Sequence, residues 1–364
     1  MSARRLAMLV ALVAFATASA RAQGPIQIVP GAAPTPAAKP TQPPQPTAPK
    51  HVKPTLLRPA TTAAAAVPAL QPSVPRPAPD ADLAYGAYQR GYYLTAFQEA
   101  TKRVNDNADP KSMTLLAELY ANGFGVPKND DEAAKWFKLA ADRGDREAMF
   151  ELAMFRFEGR GGARDRTESA RLLAAAAKLG QAAAAYNLGL LYLDGHQFPQ
   201  DLKRAAELFK SAAQAGNPEA QYALATMYKD GRGVPQDVVQ AARLMGEAAQ
   251  ADVVDAEVEY AIALFNGTGV KADEAAAAKI FRKASMQGSP IAQNRLARVY
   301  ANGRGVPKAD PVQAIKWHLI SKAGGNSDLE LDDYMRRQSP EARAAGEKAA
   351  KPWVDLITQA RINP

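Results

Sequence analysis

Three histidines, His51, His196 and His318, are the side chains best suited to hold a metal or relay a proton in this 364-residue chain, and there is no cysteine to join them. His51 falls in a proline-rich stretch, His196 in a loop and His318 on a helical segment, and no two have the spacing of a ligand pair. Serines are scattered without a G-x-S-x-G context. Triplets such as the one from Gly231 to Gly233 imitate a phosphate loop, yet each follows a helical pattern, whereas a dinucleotide fingerprint follows a strand. Without a nucleophile–base pair or a ligand set, the chain reads as a non-enzyme with no metal and no cofactor.

The glycines carry a different message. ANGFGVPKND at 121–130 returns almost unchanged as ANGRGVPKAD at 301–310. Four versions lie between them: EGRGGARDR from Glu158, DGHQFPQDL from Asp194, DGRGVPQDV from Asp230 and NGTGVKADE from Asn266. Their first glycines, Gly123, Gly159, Gly195, Gly231, Gly267 and Gly303, fall 36 residues apart. A fixed period of this size marks a stacked array in which each unit buries its apolar face against its neighbours.

Six units begin at Lys111, Glu147, Ala183, Glu219, Asp255 and Ile291. The first part of each reads as a helix: in EAQYALATMYKDG, from Glu219, small or apolar residues at columns two, six, seven and ten line one face. Column seven holds only Ala117, Ala153, Gly189, Ala225, Ala261 and Ala297, which predicts a close approach of two backbones. The first loop glycine ends that helix in the left-handed conformation. An acidic residue, Asp130, Asp165, Asp201, Asp237, Asp273 or Asp310, is then placed to cap the second helix. The second helix repeats Ala134, Ala170, Ala206, Ala242, Ala278 and Ala314. Three residues on come Phe137, Leu173, Phe209, Met245, Phe281 and Trp317, and after three more come Ala140, Ala176, Ala212, Ala248, Ala284 and Ile320.

The pattern A-x-Y-x-L-G-x-x-Y-x-x-G-x-G-V-x-x-D, continuing to A-A-x-x-G, resembles the Sel1-like repeats, relatives of the tetratricopeptide repeat. Ala220, Tyr222, Leu224, Tyr228, Gly231, Gly233, Val234, Asp237, Ala242 and Ala248 carry it, with matching columns elsewhere. Departures are local. Arg156 replaces a tyrosine, Gly162 and Ala163 replace Val-Pro, the third loop contains HQF, and the fourth unit ends QADVV without its glycine. The resemblance implies an all-α, right-handed superhelical solenoid of antiparallel helix pairs. Residues 80–110 form a shorter TPR-like hairpin turning at Arg90 and Gly91, 111–326 the six repeats, and 327–364 C-terminal capping helices. One of those caps starts at Ser339, Pro340 and Glu341 and is expected to cover the last repeat with Trp353 and Leu356.

Residues 1–22 read as a secretory signal peptide: a positive start, a short apolar run from Leu6 to Ala20, and small residues placing cleavage after Ala22, with Ala20 as the competing site. The run is shorter than the ~20 residues of a membrane span, and no later segment reaches that length. Residues 23–79 hold 16 of the 27 prolines and no acidic residue, the composition of a disordered Pro/Ala-rich linker. Its reach lies between ~40 Å as a coil and ~175 Å if fully polyproline-like. The eight basic residues of 1–79 account for the formal excess of +8, so residues 80–364 carry 37 charges of each sign. A balanced body lacks the basic face that nucleic acid needs. An exported, cysteine-free chain of this kind suits a bacterial periplasm.

Binding remains as the function, and solenoids offer an extended groove for it. By the same resemblance, columns four, eight and eleven of each first helix face inward. Those positions are Phe150, Met154 and Phe157, then Tyr186, Leu190 and Leu193, then Tyr222, then Val258, Ile262 and Phe265. Column four equally suits packing between repeats, whereas the more varied columns eight and eleven suit partner recognition. The expected function is a periplasmic protein–protein interaction scaffold gripping an envelope protein or an extended peptide. The alternative is an envelope-structural protein that contacts cell-wall glycan through aromatic residues and the cationic linker. A hydrolase role, claimed for cysteine-rich relatives, ranks third, and the missing cysteines weigh against carrying it over.

Overall fold

Column-seven alanines and capping aspartates demand tight, regular hairpins, and the computed structural model, which describes residues 82–195 and 198–362, contains them in series. The signal and linker readings, His51 and His196 lie outside the described residues. Sixteen α-helices and no strand occur among the described residues. A leading hairpin pairs α1 (Leu83–Gln89) with α2 (Tyr93–Asn107). Six repeats follow. Their first helices are α3 (Pro110–Asn122), α5 (Arg146–Glu158), α7 (Ala182–Asp194), α9 (Pro218–Asp230), α11 (Val254–Asn266) and α13 (Pro290–Asn302). Their second helices are α4 (Asp130–Asp142), α6 (Arg166–Lys178), α8 (Leu202–Gln214), α10 (Val238–Gln250), α12 (Glu274–Met286) and α14 (Pro311–Ala323). From α1 to α14 each helix packs on the one before and the one after it, the arrangement of a solenoid of antiparallel pairs, while α15 (Leu329–Arg336) touches α13 and α14 and α16 (Pro340–Ile362) lies against α14.

Every first helix of a repeat stops at its loop glycine, whose φ lies between +67° and +78°. The chain then returns so that the backbone N–H of the next cap residue donates to the carbonyl of column ten: Asn129 to Tyr120 at 2.9 Å, Asp165 to Arg156 at 2.8 Å, Asp237 to Tyr228 at 2.9 Å. Because this bond uses main-chain atoms, Arg156 serves as well as a tyrosine. It also corrects one expected cap. In the first repeat the residue that reaches column ten is Asn129, whose side chain accepts from the N–H groups of Asp131 and Glu132, and Asp130 lies one position inside the helix. The other five aspartates cap as expected. Where the fourth repeat lacks its terminal glycine, Asp252 adopts the left-handed conformation itself, at φ +62°.

The sixth repeat breaks the count. Its cap, Asp310, lies seven residues after Gly303, whereas the other loops span six, so a strict period of 36 misplaces its second helix by one residue. Counted from the cap, the position of Phe137, Phe209 and Phe281 belongs to His318, not Trp317, and that of Ala140 and Ala284 belongs to Ser321, not Ile320. Both polar residues are buried, His318 at 1% exposure. Ser321 Oγ donates to the Pro290 carbonyl at 2.8 Å. The displaced Trp317 packs on Trp353 of α16, ring centres 6.3 Å apart.

Column seven is buried throughout, and Ala117, Ala153, Ala225, Ala261 and Ala297 have no measurable exposure. At Gly189 the space is taken by the Phe209 ring, which stands 2.7 Å from where a Cβ would be. The terminal helix covers the last repeat through Ala350, Trp353, Val354 and Ile357. Those residues follow i, i+3, i+4, i+7 spacing, which puts Leu356 on the far side, 63% exposed, so its expected contact is not made.

Candidate partner-binding groove

An ion pair joins the first helices of repeats four and five, and a hydrogen bond ties that of repeat six to the cap of α15. Lys229 Nζ lies 3.1 Å from Glu259 Oε2, and Asn294 Nδ2 donates to Asp328 Oδ2 at 2.8 Å. The nine expected groove residues fall unequally along the first helices. Phe150 and Leu190 are buried, and so is Val258; they pack into the interior and do not line an open surface. Helices that are apolar nearly all round are covered on two sides in a stack, and these three side chains lie on the second covered side. Met154, Phe157, Tyr186, Leu193, Tyr222, Ile262 and Phe265 are half-buried.

The first helices are also acidic near the start of the array. Burial, followed by the neighbouring Glu151, pushes the Glu118 carboxyl up to about 7. Burial and Glu118 in turn push the Tyr88 hydroxyl to about 12. Further along, burial and then Glu219 raise Tyr186 to about 12, and burial and then Glu259 raise Asp255. Tyr222 is raised by burial and then by Asp255.

A titration follows from Glu118. Its folded state holds a proton that the unfolded chain releases near the ordinary carboxylate value. Its stabilising contribution is therefore complete below that value and is lost as pH rises through about 7. Glu118→Gln, neutral at every pH, is expected to gain about 2 kcal/mol over the parent at about pH 8 and nothing at about pH 4. Paired thermal melts at the two pH values check this, and equal gains at both would remove the protonated carboxyl from the account.

At the far end, Ile262 and Phe265 from α11 meet Arg295, Arg298 and Val299 from α13 and Arg304 from the following loop around a cavity of about 250 Å³ floored by Phe281. The Arg304 guanidinium lies 4.4 Å from the Phe265 ring centre and 2.5 Å from Glu274. Arg298 bonds Asp328 and Glu330, both at 2.7 Å. The three arginines escape a search restricted to apolar columns. The signal that finds them is a charge at column eight, where Arg298 replaces the Met154, Leu190 and Ile262 of earlier repeats.

No group of three His, Cys, Asp or Glu side chains that could hold a metal occurs among the described residues. His318 Nε2 lies 2.8 Å from Asp332 Oδ1, and Asp332 also accepts from Lys322 at 2.8 Å. Lys322 and then His318 hold the Asp332 carboxyl below its usual range. This cluster ties α14 to α15. No helix among the described residues is long and apolar enough to cross a membrane.

Helical hairpins stacked through small-residue columns define an α-solenoid repeat protein. Residues 110–145, 146–181, 182–217, 218–253, 254–289 and 290–326 each match the Sel1 repeat, the last longer by one residue, and the chain belongs to the Sel1 repeat family. It is similar to a Sel1 repeat protein from Oxalobacter formigenes, with 28% identity and a TM-score of 0.57, over 66% of this chain and 97% of that one. It is also similar to c5321, a protective antigen of uropathogenic Escherichia coli displaying an SLR fold. That likeness has 25% identity and a TM-score of 0.52 and covers 75% of this chain and 67% of the other. No curated protein matches the chain. Proteins built of these repeats are generally interaction scaffolds.

Proposed function

We propose that the protein is a non-catalytic scaffold of the periplasm, released by signal cleavage near Ala22, whose first-helix face grips an extended peptide or a domain of an envelope protein. The observation that carries this reading is the set of half-buried apolar side chains, Met154, Phe157, Leu193, Ile262 and Phe265, at the same two columns of the first helices of repeats two, three and five. Apolar groups that are neither core nor fully solvated are maintained where a partner completes their burial. The linker supplies reach.

Crosslinking in cells with the full chain, followed by mass spectrometry, identifies the partner. Met154→Glu combined with Leu193→Glu is then expected to keep its helical content while losing that partner by at least tenfold, because a carboxylate at a half-open site is solvated when free and stripped of water in a complex. A folded variant that retains the partner would move binding away from this face. Sedimentation with purified cell wall is the parallel measurement, and loss of wall binding in place of protein binding would establish glycan as the ligand. Sequencing the mature N-terminus tests export, with Gln23 as the expected first residue.

A further inference from the structure

The cavity between repeats five and six combines two chemistries within the space of roughly one large residue. Its floor is apolar, formed by Ile262, Phe265, Val299 and the buried Phe281, while its wall carries the guanidinium-bearing Arg295, Arg298 and Arg304 and no carboxylate. The three arginines are not equivalent. Arg298 is committed to Asp328 and Glu330, and Arg304 to Glu274 and the Phe265 ring. Arg295 has no ion-pair or hydrogen-bond partner among the described residues and is exposed at the cavity edge.

We propose that this cavity is a subsite for the C-terminal residue of a partner chain, its large apolar side chain resting on Ile262, Phe265 and Val299 and its α-carboxylate bound by Arg295. The inference rests on the scaffold reading and specifies one end of its ligand. An α-carboxylate is attached one bond from the carbon that bears the side chain. A chain end therefore satisfies cation and floor together in about 250 Å³, whereas an internal acidic residue has its charge on one side chain and its apolar group on another. Only one guanidinium is uncommitted, which matches one carboxylate. The pairs of Arg304 and Arg298 fix those two side chains in place, so the wall is formed before a ligand arrives.

The test uses the full mature protein and a small probe, acetyl-glycyl-para-fluorophenylalanine, followed by fluorine NMR line broadening up to millimolar concentration. The free acid is expected to bind about tenfold more tightly than its C-terminal amide. Arg295→Ala should bring the acid down to the level of the amide, and Arg295→Glu should invert the preference. Because Arg295 is exposed and unpaired, both variants should melt with the parent. Equal binding of acid and amide, absence of binding by either, or an unchanged preference in Arg295→Ala would each overturn the subsite. The scaffold reading would survive those results if the crosslinked partner is still lost from the Met154 and Leu193 variant, so the two failures are distinguishable.

Discussion

Alanine at Gly269 is expected to destabilise the array by about 2–4 kcal/mol, several times the effect of alanine at Gly267 two residues earlier. The two glycines share almost the same backbone conformation, φ +70° and +71°, so the left-handed penalty of about 1 kcal/mol applies equally. They differ in what surrounds them. A Cβ at Gly267 would meet the Cβ of Ala272 at 3.2 Å, a tight contact relieved by a shift of a few tenths of an ångström in the same loop, whereas one at Gly269 would overlap the carbonyl oxygen of Val238, at the start of the preceding repeat's second helix. The same overlap arises at Gly161 with Asp130, at Gly233 with Leu202 and at Gly305 with Glu274. The second loop glycine is thus a clasp between repeats. Since stability in a solenoid is a sum of unit and interface contributions, Gly269→Ala should also broaden or split the melting transition. Circular dichroism melts of the two variants decide the matter, and equal shifts would show that the clasp contributes nothing beyond backbone strain.

Phe209→Ala should cost about 3–5 kcal/mol, the range for deleting a wholly buried ring. The ring packs against Gly189 and lies 5.7 Å from the Tyr186 ring, filling volume that the alanine of other repeats would take at column seven. Gly189→Ala alone is expected to destabilise by about 1–3 kcal/mol through overpacking, despite the better helix propensity of alanine. In the Phe209→Ala background the same change should instead recover stability, because the added methyl occupies part of the vacated space. The denaturant midpoints of the four proteins give the coupling directly. Additive effects would mean that the two positions do not share a cavity.

Much of the architecture was legible because it is written in local chemistry. The 36-residue spacing of glycines, the small residues at column seven and five of the six capping aspartates are all found where their patterns place them. The glycines and the caps act through partners within a few residues along the chain, and column seven through the second helix of its own hairpin. The exceptions share a cause. Asn129 caps in place of Asp130, and His318 occupies the slot assigned to Trp317, because loop closure by a backbone hydrogen bond sets the register, while a count of residues does not detect a lengthened loop. Leu356 was misplaced for want of the helix phase that Trp353 and Ile357 share.

The candidate site was legible only in part. Of the expected groove residues Met154, Phe157, Tyr186, Leu193, Tyr222, Ile262 and Phe265 are half-buried, whereas Phe150 and Leu190 are interior, and the cluster of Arg295, Arg298 and Arg304 was not foreseen. The repeat, the hairpin and the helix ends follow from local chemistry, since capping, glycine conformation and i, i+4 spacing operate within one turn or one loop. Packing between repeats sets which apolar columns are covered, where Arg304 folds back over Phe265, and which guanidinium at the end of the array is left uncommitted. Those outcomes depend on side chains about 30 residues apart that touch only after each repeat has rotated onto the next, and no local pattern encodes that rotation.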